Sequence, residues 1–248
     1  MNKVLVITGG SRGIGAATAL LAADRGYAVC INYQKNQAAA ELVVGKIKAK
    51  GGNAIAVAAD VSLESEVKNL FKVVDDQLGP ISALVNNAGI LEKQTRVEHI
   101  DEARLHRIFS ANVIGSFLCA REAVRRMSTR HGGHGGAIVN VSSAASRLGS
   151  AGEYVDYAAS KGAIDTLTIG LSREVAEEGI RVNAVRPGFI YTEMHADGGE
   201  PGRVDRIKES LPMKRGGQPL EVANAIIWLL SEEASYATGT FIDLAGGK

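Results

Sequence analysis

The amino-acid sequence predicts an α/β fold: one doubly wound domain over residues 1–248, with about seven parallel strands and helices on both faces. Short apolar runs rich in β-branched residues alternate with helical segments along the chain, and no repeat or linker separates them. A chain of 248 residues suits one domain of this kind. Because a helix between two strands brings them into parallel pairing, the alternation itself indicates this architecture.

The composition argues against several classes of function. The hydrophobic content of 46% and the charged content of 22% are typical of globular proteins in water, and the formal net charge is +1. This charge balance disfavours nucleic acid or an anionic membrane as the main partner. No apolar run is long enough to span a bilayer, so a cytoplasmic protein is expected. Cys30 and Cys119 lie in apolar segments without metal-ligand spacing, which predicts buried thiols and no metal site.

A glycine-rich turn follows the first predicted strand. Residues 8–15 read Thr-Gly-Gly-Ser-Arg-Gly-Ile-Gly and lead into an alanine-rich helix. Free amides and the dipole of a helix N-terminus attract phosphate, and glycines let the backbone approach it closely. The spacing is not G-x-G-x-x-G and no Gly-Lys-Ser/Thr follows, which disfavours a P-loop nucleotidase. The turn is therefore predicted to bind a dinucleotide phosphate, with a plain turn as the alternative.

The end of the second predicted strand bears on the choice of dinucleotide. Folds that prefer NAD commonly end this strand in Asp or Glu, which holds the ribose hydroxyls. Here the residues from Asn32 to Lys35 read Asn-Tyr-Gln-Lys, without a carboxylate, and Arg12 lies in the glycine turn. Two cations and a missing acid suit a 2′-phosphate, so NADP(H) is favoured and NAD(H) is the second choice. The alternative is that Arg12 and Lys35 are solvated surface charges.

Polar residues also follow the third, fourth and fifth predicted strands, at the edge where such sheets bind ligands. Asp60 ends the third strand, and Ser62 is predicted to cap the next helix. Asn87-Ala88-Gly89 follows the fourth strand, where short amides can tie neighbouring strands together, although a plain loop is equally compatible. Ser143 follows the fifth strand without a G-x-S-x-G pattern, so a hydrolase nucleophile is disfavoured.

Two helical segments carry candidate polar residues. Asn112 lies among apolar neighbours in a long helix predicted over 101–129, and a buried amide needs hydrogen-bond partners, so a functional or bridging role is expected. Tyr157 and Lys161 are four residues apart and share one face of a predicted helix. An ammonium beside a phenol favours the phenolate, which predicts a lowered pKa for Tyr157 and a proton donor and acceptor near neutral pH. Alone, such a pair is more commonly a core edge and a surface charge.

The region after the sixth predicted strand is irregular. Pro187 and Gly188 force a sharp exit from the strand and expose Thr192 at the sheet edge. Residues 193–217 then break the apolar rhythm with several glycines and prolines. A lid over a binding site and a surface loop are both compatible with this pattern.

Taken together, Thr8-Gly9-x-x-x-Gly13-x-Gly15, Asn87-Ala88-Gly89, Ser143, Tyr157-x-x-x-Lys161 and Pro187-Gly188 resemble the motifs of the short-chain dehydrogenase/reductase family over essentially the whole chain. The likeness is greatest to the bacterial group of 3-oxoacyl-carrier-protein reductase and glucose 1-dehydrogenase. It implies a Rossmann-type sheet, an NADP(H)-dependent oxidoreductase that interconverts a carbonyl and a secondary alcohol, and a homotetramer packed through two long helices. The substrate expected is a small molecule of sugar, polyol or 3-oxoacyl type. The rival hypothesis is a non-catalytic NADP-binding sensor or structural protein.

The resemblance also implies roles for individual residues. Tyr157 would exchange a proton with the substrate oxygen while Ser143 hydrogen-bonds the same oxygen. Lys161 would hold the nicotinamide ribose and lower the pKa of Tyr157, and Asn112 would anchor a water in a proton relay. Tyr154 is expected near the substrate pocket. The cofactor-binding residues expected are Gly9, Ser11, Arg12, Gly13, Ile14, Gly15, Asn32, Lys35, Asp60, Val61, Asn87, Ala88, Gly89, Tyr157, Lys161, Pro187, Gly188, Ile190 and Thr192.

Overall fold

Seven parallel strands form one sheet in the computed structural model, which describes residues 3–248; Met1 and Asn2 lie outside the described residues. The strands are β1 Lys3–Ile7, β2 Tyr27–Tyr33, β3 Ala54–Ala58, β4 Ala83–Asn86, β5 Gly136–Val141, β6 Ile180–Pro187 and β7 Phe241–Leu244. Their order across the sheet is β3-β2-β1-β4-β5-β6-β7. The order reverses between β1 and β4, and in sheets of this kind ligands bind at that switch point.

Helices cover both faces of the sheet, and the predicted doubly wound architecture is confirmed. The helices are α1 Gly13–Asp24, α2 Gln37–Ala49, α3 Glu64–Gln77, α4 Glu102–Phe109, α5 Gly115–Met127, α6 Ala145–Leu148, α7 Val155–Glu174, α8 Met194–Asp197, α9 Arg203–Ile207 and α10 Pro219–Leu230.

Two apolar cores lie on opposite faces of the sheet because side chains alternate along each buried strand. In β1, Leu5 and Ile7 belong to the core that packs against α1, α2 and α10. Val4 and Val6 belong to the core that packs against α3 and α5. The parallel strands are thus buried on both faces, which accounts for their nearly continuous apolar sequences.

Two local predictions differ from the structure. The long helix predicted over 101–129 is divided, because Ser110–Ile114 forms a π-helical stretch between α4 and α5. The predicted cap at Ser62 is wrong, since α3 begins after Leu63 and the Ser62 hydroxyl donates to Oδ1 of Asp60 at 2.7 Å. Leu63, at the N-cap position, has no side-chain acceptor, and Glu64 and Glu66 in the first turn favour the helix start through the helix dipole.

Both cysteines are buried, as predicted, in the core beneath α3 and α5. Burial raises the pKa of the Cys30 thiol, and it raises that of Cys119 to about 12, so both thiols are protonated and unreactive at neutral pH. Within residues 3–248, no helix has the length and apolar character needed to cross a membrane.

Candidate active site

The glycine turn packs tightly against the start of α1. Gly9 and Gly13 have φ angles of +61° and +52°, which favour glycine. A Cβ added to Gly15 would collide with the carbonyl oxygen of Gly9 and lie 2.7 Å from Nδ2 of Asn87. The turn therefore presents bare backbone at the helix N-terminus, which is the arrangement that admits a phosphate.

Asn87 joins the glycine turn to the end of β4. Its Nδ2 donates to the carbonyl oxygens of Thr8 and Gly9 at 2.8 and 2.9 Å. The Thr8 hydroxyl in turn accepts hydrogen bonds from the backbone amides of Asn87 and Ala88, each at 2.9 Å. The prediction that these short amides tie neighbouring strands together is correct.

Asn32 supports the same turn from β2. Its side chain is buried, its Oδ1 accepts from the Gly9 amide at 3.3 Å, and its Nδ2 donates to the Ala59 carbonyl at 2.9 Å. Of the two cations predicted to favour a 2′-phosphate, Lys35 is exposed at the end of β2. Arg12 is exposed as well, and its guanidinium forms an ion pair with Asp197 at the end of α8.

The end of β3 is ordered by local hydrogen bonds around Asp60. Oδ1 of Asp60 accepts from the amide of Ser62 at 2.9 Å, and Oδ2 accepts from Nε2 of Gln34 at 2.6 Å. Burial acts to raise the pKa of Asp60, but these hydrogen bonds and the charge of Lys35 outweigh it and lower the pKa. Val61 is buried, and its side chain packs against Gly115 in the core, so it offers backbone rather than side chain to a ligand.

Tyr157 and Lys161 share one face of α7, as their spacing predicts. Nζ of Lys161 lies 5.6 Å from the centroid of the Tyr157 ring and donates to the carbonyl oxygen of Val141 at 2.8 Å. Ser143 lies at the end of β5 and lines the same pocket as Tyr157, and its hydroxyl donates to the carbonyl oxygen of Pro187 at 3.4 Å. The Ser143 hydroxyl also accepts from the amide of Ala145 at 3.1 Å, which fixes its position.

The lowered pKa predicted for Tyr157 is not found. Burial raises the pKa of Tyr157 to about 12, and the nearby hydroxyl of Ser143 opposes that rise only in part. Burial also lowers the pKa of Lys161 from 10.5 to about 8, against the attraction of Asp165. The prediction treated the pair as an ammonium and a phenol in water, whereas in the folded chain burial disfavours both charged forms.

Asn112 bridges two elements behind the face of α7 that carries Tyr157 and Lys161. It is fully buried in the π-helical stretch, and its Oδ1 accepts from the amide of Ile90 at 2.7 Å. Its Nδ2 donates to the Ile90 carbonyl at 3.1 Å and to the Ser160 hydroxyl at 3.0 Å. A π-helical turn of this kind commonly marks a functional site. The bridging role predicted for this amide is therefore confirmed by its contacts.

A buried ion pair fixes the start of α7 next to Tyr157. Nε of Arg104 donates to Oδ2 of Asp156 at 2.6 Å, and Nη2 donates to Oδ1 at 3.3 Å. Nη1 of Arg104 also donates to the carbonyl of Lys93 at 2.7 Å. The side chains of Arg104 and Asp156 are 9% and 0% exposed, so the pair is desolvated and holds α4, α7 and the segment after β4 together.

An open pocket with an empty volume of about 870 Å³ lies at the carboxyl edge of the sheet. Nine residues from the predicted site line it: Ile14, Asn87, Ser143, Tyr157, Lys161, Pro187, Gly188, Ile190 and Thr192. Asn112 lies behind the pocket wall, and Lys35 and Asp60 lie at the ends of β2 and β3. The structure thus gathers the predicted proton-transfer groups in one cavity beside the glycine turn.

Other pocket residues carry no sequence motif. Tyr154, expected near the pocket, lines it together with Leu91, Leu148, Phe189, Met194, His195 and Arg203. Arg203 is buried, pairs with Glu153 and Glu200, and lies 4.9 Å from the centroid of the Tyr154 ring. The only sequence signal for these residues is the irregular composition of their segments. That signal indicates a loop but does not show which side chains face inward.

The segment 193–217 forms part of the pocket wall through Met194, His195 and Arg203. Besides the ion pair between Asp197 and Arg12, the Tyr154 hydroxyl donates to the Gly198 carbonyl at 3.3 Å. Both contacts attach α8 to the body of the domain, so in this structure the segment covers one side of the cavity.

Comparisons with known proteins agree with this geometry. A family model described as enoyl-(acyl carrier protein) reductase matches residues 9–248. The chain is 64% identical over 245 residues to the uncharacterized oxidoreductase YgfF of Escherichia coli, covering 99% of each chain. It is 38% identical over 247 residues to the 3-oxoacyl-[acyl-carrier-protein] reductase FabG of Staphylococcus epidermidis, covering 100% of this chain and 99% of the relative.

Solved structures give the same result. The 3-ketoacyl-(acyl-carrier-protein) reductase from Brucella melitensis, complexed with NADH, superposes with a TM-score of 0.91 at 32% identity, covering 99% of this chain and 97% of the other. A double mutant of a Serratia marcescens enzyme of the same fold gives a TM-score of 0.90 at 33% identity with the same coverage.

Proposed function

The chain belongs to the short-chain dehydrogenase/reductase family of oxidoreductases, and we propose that it interconverts a carbonyl and a secondary alcohol with NADP(H). The observation that carries the proposal is the convergence of Ser143, Tyr157 and Lys161 on one pocket beside the glycine turn. A nicotinamide bound there supplies or accepts the hydride. The chain itself holds the cofactor, orients the substrate oxygen and moves the proton.

The residues of the glycine turn fit a dinucleotide. The space beside Gly15 cannot take a side chain, and a Cβ on Gly13 would lie 3.2 Å from Cγ2 of Thr192. Backbone amides are therefore available to phosphate where side chains would block it. Asn87 and Asn32 hold this cradle in place through the hydrogen bonds described above.

Tyr157 is the proton donor in the direction of reduction. Because its pKa is raised to about 12, the phenol is protonated throughout the neutral range and can deliver its proton to a carbonyl oxygen. Ser143, which lines the same pocket, can donate to the same substrate oxygen and stabilise its developing charge. Lys161, with a pKa of about 8, can lose and regain a proton near neutral pH and so restore the proton of the phenol.

Replacing Tyr157 by phenylalanine tests this assignment. We expect kcat to fall by about 10²- to 10⁴-fold, because general acid–base catalysis contributes that much. Turnover would be followed at the nicotinamide absorbance band over ketones and polyols, in both directions and with both cofactors. Tyr154→Phe is the matched control, since it removes a second phenol from the same pocket that has no lysine four residues further on. Near-normal turnover of Tyr157→Phe would refute the assignment.

The proposal of NADP(H) rests on the exposed cations at Arg12 and Lys35 and on the missing carboxylate at the end of β2. A 2′-phosphate attracts both side chains, whereas a 2′-hydroxyl needs an acceptor there. We expect kcat/KM to be higher with NADPH than with NADH, and Lys35→Ala to reduce that ratio. A strong preference for NADH would overturn this part of the proposal.

A sensor or structural protein that only binds the nucleotide is the rival from another class. The joint presence of Asn112, Ser143, Tyr157 and Lys161 speaks against it, because nucleotide binding alone does not need a set of groups for proton transfer. Nucleotide binding without turnover over the whole substrate panel would favour the rival.

We further propose a homotetramer that packs through the helices α5 and α7. Ile114 and Phe117 at the start of α5, and Val155 and Ile169 on α7, are apolar side chains that expose 36–50% of their surface. Contiguous exposed apolar surface commonly marks a protein interface. A light-scattering mass equal to one chain would contradict this assembly.

A further inference from the structure

Asp165 connects α7 to the ends of two neighbouring strands. It lies on α7 four residues after Lys161, so the two side chains are neighbours on the helix surface. Its Oδ1 accepts from the hydroxyl of Ser142 at 2.6 Å, which ties α7 to the end of β5. Its Oδ2 accepts from Nη2 and Nε of Arg186 at 2.9 and 3.1 Å, which ties α7 to β6.

The two residues that Asp165 holds stand next to residues of the proposed site. Ser142 directly precedes Ser143, and its hydroxyl oxygen also lies 3.2 Å from the carbonyl oxygen of Lys161. Arg186 directly precedes Pro187. The carbonyl oxygen of Pro187 accepts from the Ser143 hydroxyl at 3.4 Å. The carboxylate therefore helps to set where Ser143 lies relative to the turn of α7 that carries the lysine.

Arg186 has further partners that restrict its guanidinium. Its central carbon lies 3.9 Å from the ring centroid of Phe241 on β7. Its Nη1 lies 3.9 Å from Oδ1 of Asp243, whose Oδ2 accepts from Arg147 at 2.6 Å. The side chains of Arg186 and Asp165 are 16% and 13% exposed, so this pair is largely removed from water and its geometry is well defined.

Asp165 also supplies a negative charge one helical turn from the amine of Lys161. Burial lowers the pKa of that amine to about 8, and the charge of Asp165 acts in the opposite direction. Further groups close to the amine are uncharged. Nζ donates to the Val141 carbonyl, and a Cβ on Gly89 would lie 3.6 Å from Nζ and 3.3 Å from Oδ1 of Asn112.

Charged side chains around this part of α7 occur in ion pairs: Arg104 with Asp156, Arg147 with Asp243, and Arg186 with Asp165. In each pair the opposite charges offset one another at a distance. Arg186 thus offsets part of the charge of Asp165, but the carboxylate keeps a net effect on Lys161. The amine is therefore sensitive to either member of this third pair.

We propose that Asp165 is a positioning residue for the proton transfer: it fixes Ser143 through the end of β5 and favours the ammonium form of Lys161 through its charge. This inference rests on the proposed function and deepens it. After the phenol has given its proton to the substrate oxygen, the ammonium gives up the proton that the phenolate takes up, and both groups end neutral. Without the carboxylate, the amine loses its proton at a lower pH and this step fails in the neutral range.

The titration of Lys161 tests the effect of the charge without turnover. In protein labelled with ¹³C at Cε of lysine, the signal that is missing from Lys161→Met reports the protonation of this amine. We expect Asp165→Asn, which can still accept from Ser142 but has no charge, to lower the midpoint by about 0.5 to 1 pH unit. Asp243→Asn is the matched control, because it removes the other carboxylate near Arg186 and should shift the midpoint much less. An unchanged midpoint in Asp165→Asn, or an equal shift in both variants, overturns the inference.

Kinetics test the two effects together. With NADPH and a ketone that the enzyme reduces, kcat should fall with rising pH as Lys161 loses its proton. In Asp165→Asn this fall should move to lower pH by the same amount as the midpoint of the titration. Ser142→Ala removes a hydrogen bond but no charge, so kcat should drop about 2- to 10-fold at every pH without moving the profile.

The outcomes separate the inference from the reaction. An unmoved pH profile in Asp165→Asn, or a native kcat in Ser142→Ala at every pH, overturns the inference and leaves the proposed reaction standing. Failure of Tyr157→Phe to lower turnover refutes the reaction instead, and the titration still measures the effect of Asp165 on Lys161.

Arg186→Gln takes the place of Asp165→Asn if that variant does not fold. It leaves the carboxylate of Asp165 without its counter-charge, so the midpoint of Lys161 should rise rather than fall. A midpoint that stays in place or falls in Arg186→Gln overturns the inference.

Discussion

Replacing Lys161 by methionine tests whether the proposed proton-transfer site destabilises the fold. The lysine side chain is 4% exposed, and burial lowers its pKa from 10.5 to about 8. Between these two pH values the unfolded chain keeps the proton and the folded chain does not. A gap of about 2.5 pH units, at about 1.4 kcal/mol for each, corresponds to a cost of about 3 kcal/mol at neutral pH.

The direction in which this cost changes with pH determines the design of the experiment. The cost is fully present below pH 8, decreases as the pH rises, and disappears above 10.5, so the native enzyme gains stability over that range. Methionine has a similar length to lysine and no charge. The free energy of unfolding of Lys161→Met therefore lacks the pH-dependent cost of burying the lysine charge. We expect the advantage of Lys161→Met over the native chain to shrink by about 2 to 3 kcal/mol from pH 7 to pH 10.

Urea titrations at pH 7, 8, 9 and 10 measure the difference. The lost hydrogen bond to the Val141 carbonyl lowers the stability of the variant, but by an amount that does not depend on pH in this range. Contributions from the cysteines are common to both proteins and cancel. Lys35→Met is the control, because it removes an exposed cation. A constant difference between Lys161→Met and the native chain across the four pH values would refute the reasoning.

Three further perturbations follow from the geometry. Gly15→Ala should weaken NADPH binding at least tenfold and lower stability by about 1 to 3 kcal/mol, because its Cβ would lie 2.9 Å or less from the backbone of the turn. An unchanged NADPH titration and an unchanged melting temperature would contradict this prediction. Asp197→Asn should release Arg12 and lower the KM for NADPH about two- to fivefold without improving NADH, and equal effects on both cofactors would argue against a 2′-phosphate contact. Arg104→Ala should cost about 3 to 5 kcal/mol in urea titrations, because it leaves the buried Asp156 carboxylate uncompensated, and Arg104→Ala with Asp156→Asn should recover part of that loss. If the changes in the free energy of unfolding caused by Arg104→Ala and by Asp156→Asn simply add in the double variant, the two side chains are not coupled.

The features that the sequence predicted correctly are encoded locally. Tyr157 and Lys161 meet because a helix places residues four apart on one face, whatever surrounds it. The glycines of the first turn allow a backbone path that other residues disfavour, and the alternation of strand and helix restricts the sheet to few topologies. These features depend on the backbone and on side-chain spacing, so a single sequence suffices to predict them.

The features that were missed depend on contacts between distant residues. Nothing in the sequence around Asn112 predicts a π-helical stretch, because that amide is held by Ile90 and Ser160, which lie 22 and 48 residues away. The ion pair of Arg12 and Asp197 spans 185 residues. It helps to set which side chains of the segment 193–217 face the pocket, so His195 could not be singled out from the composition of that segment.

The pKa values of the site show why chemistry is harder to predict than position. The spacing of Tyr157 and Lys161 alone suggests mutual stabilisation of charge, yet burial moves the pKa of the phenol up to about 12 and that of the amine down to about 8. Both shifts favour the neutral forms, because neither group finds enough hydrogen bonds to replace water. The pair is therefore close to a neutral acid beside a neutral base at slightly alkaline pH. Direct transfer from the phenol to the amine would create two buried charges, so in the proposed reaction the proton of Tyr157 leaves only as a substrate oxygen accepts it.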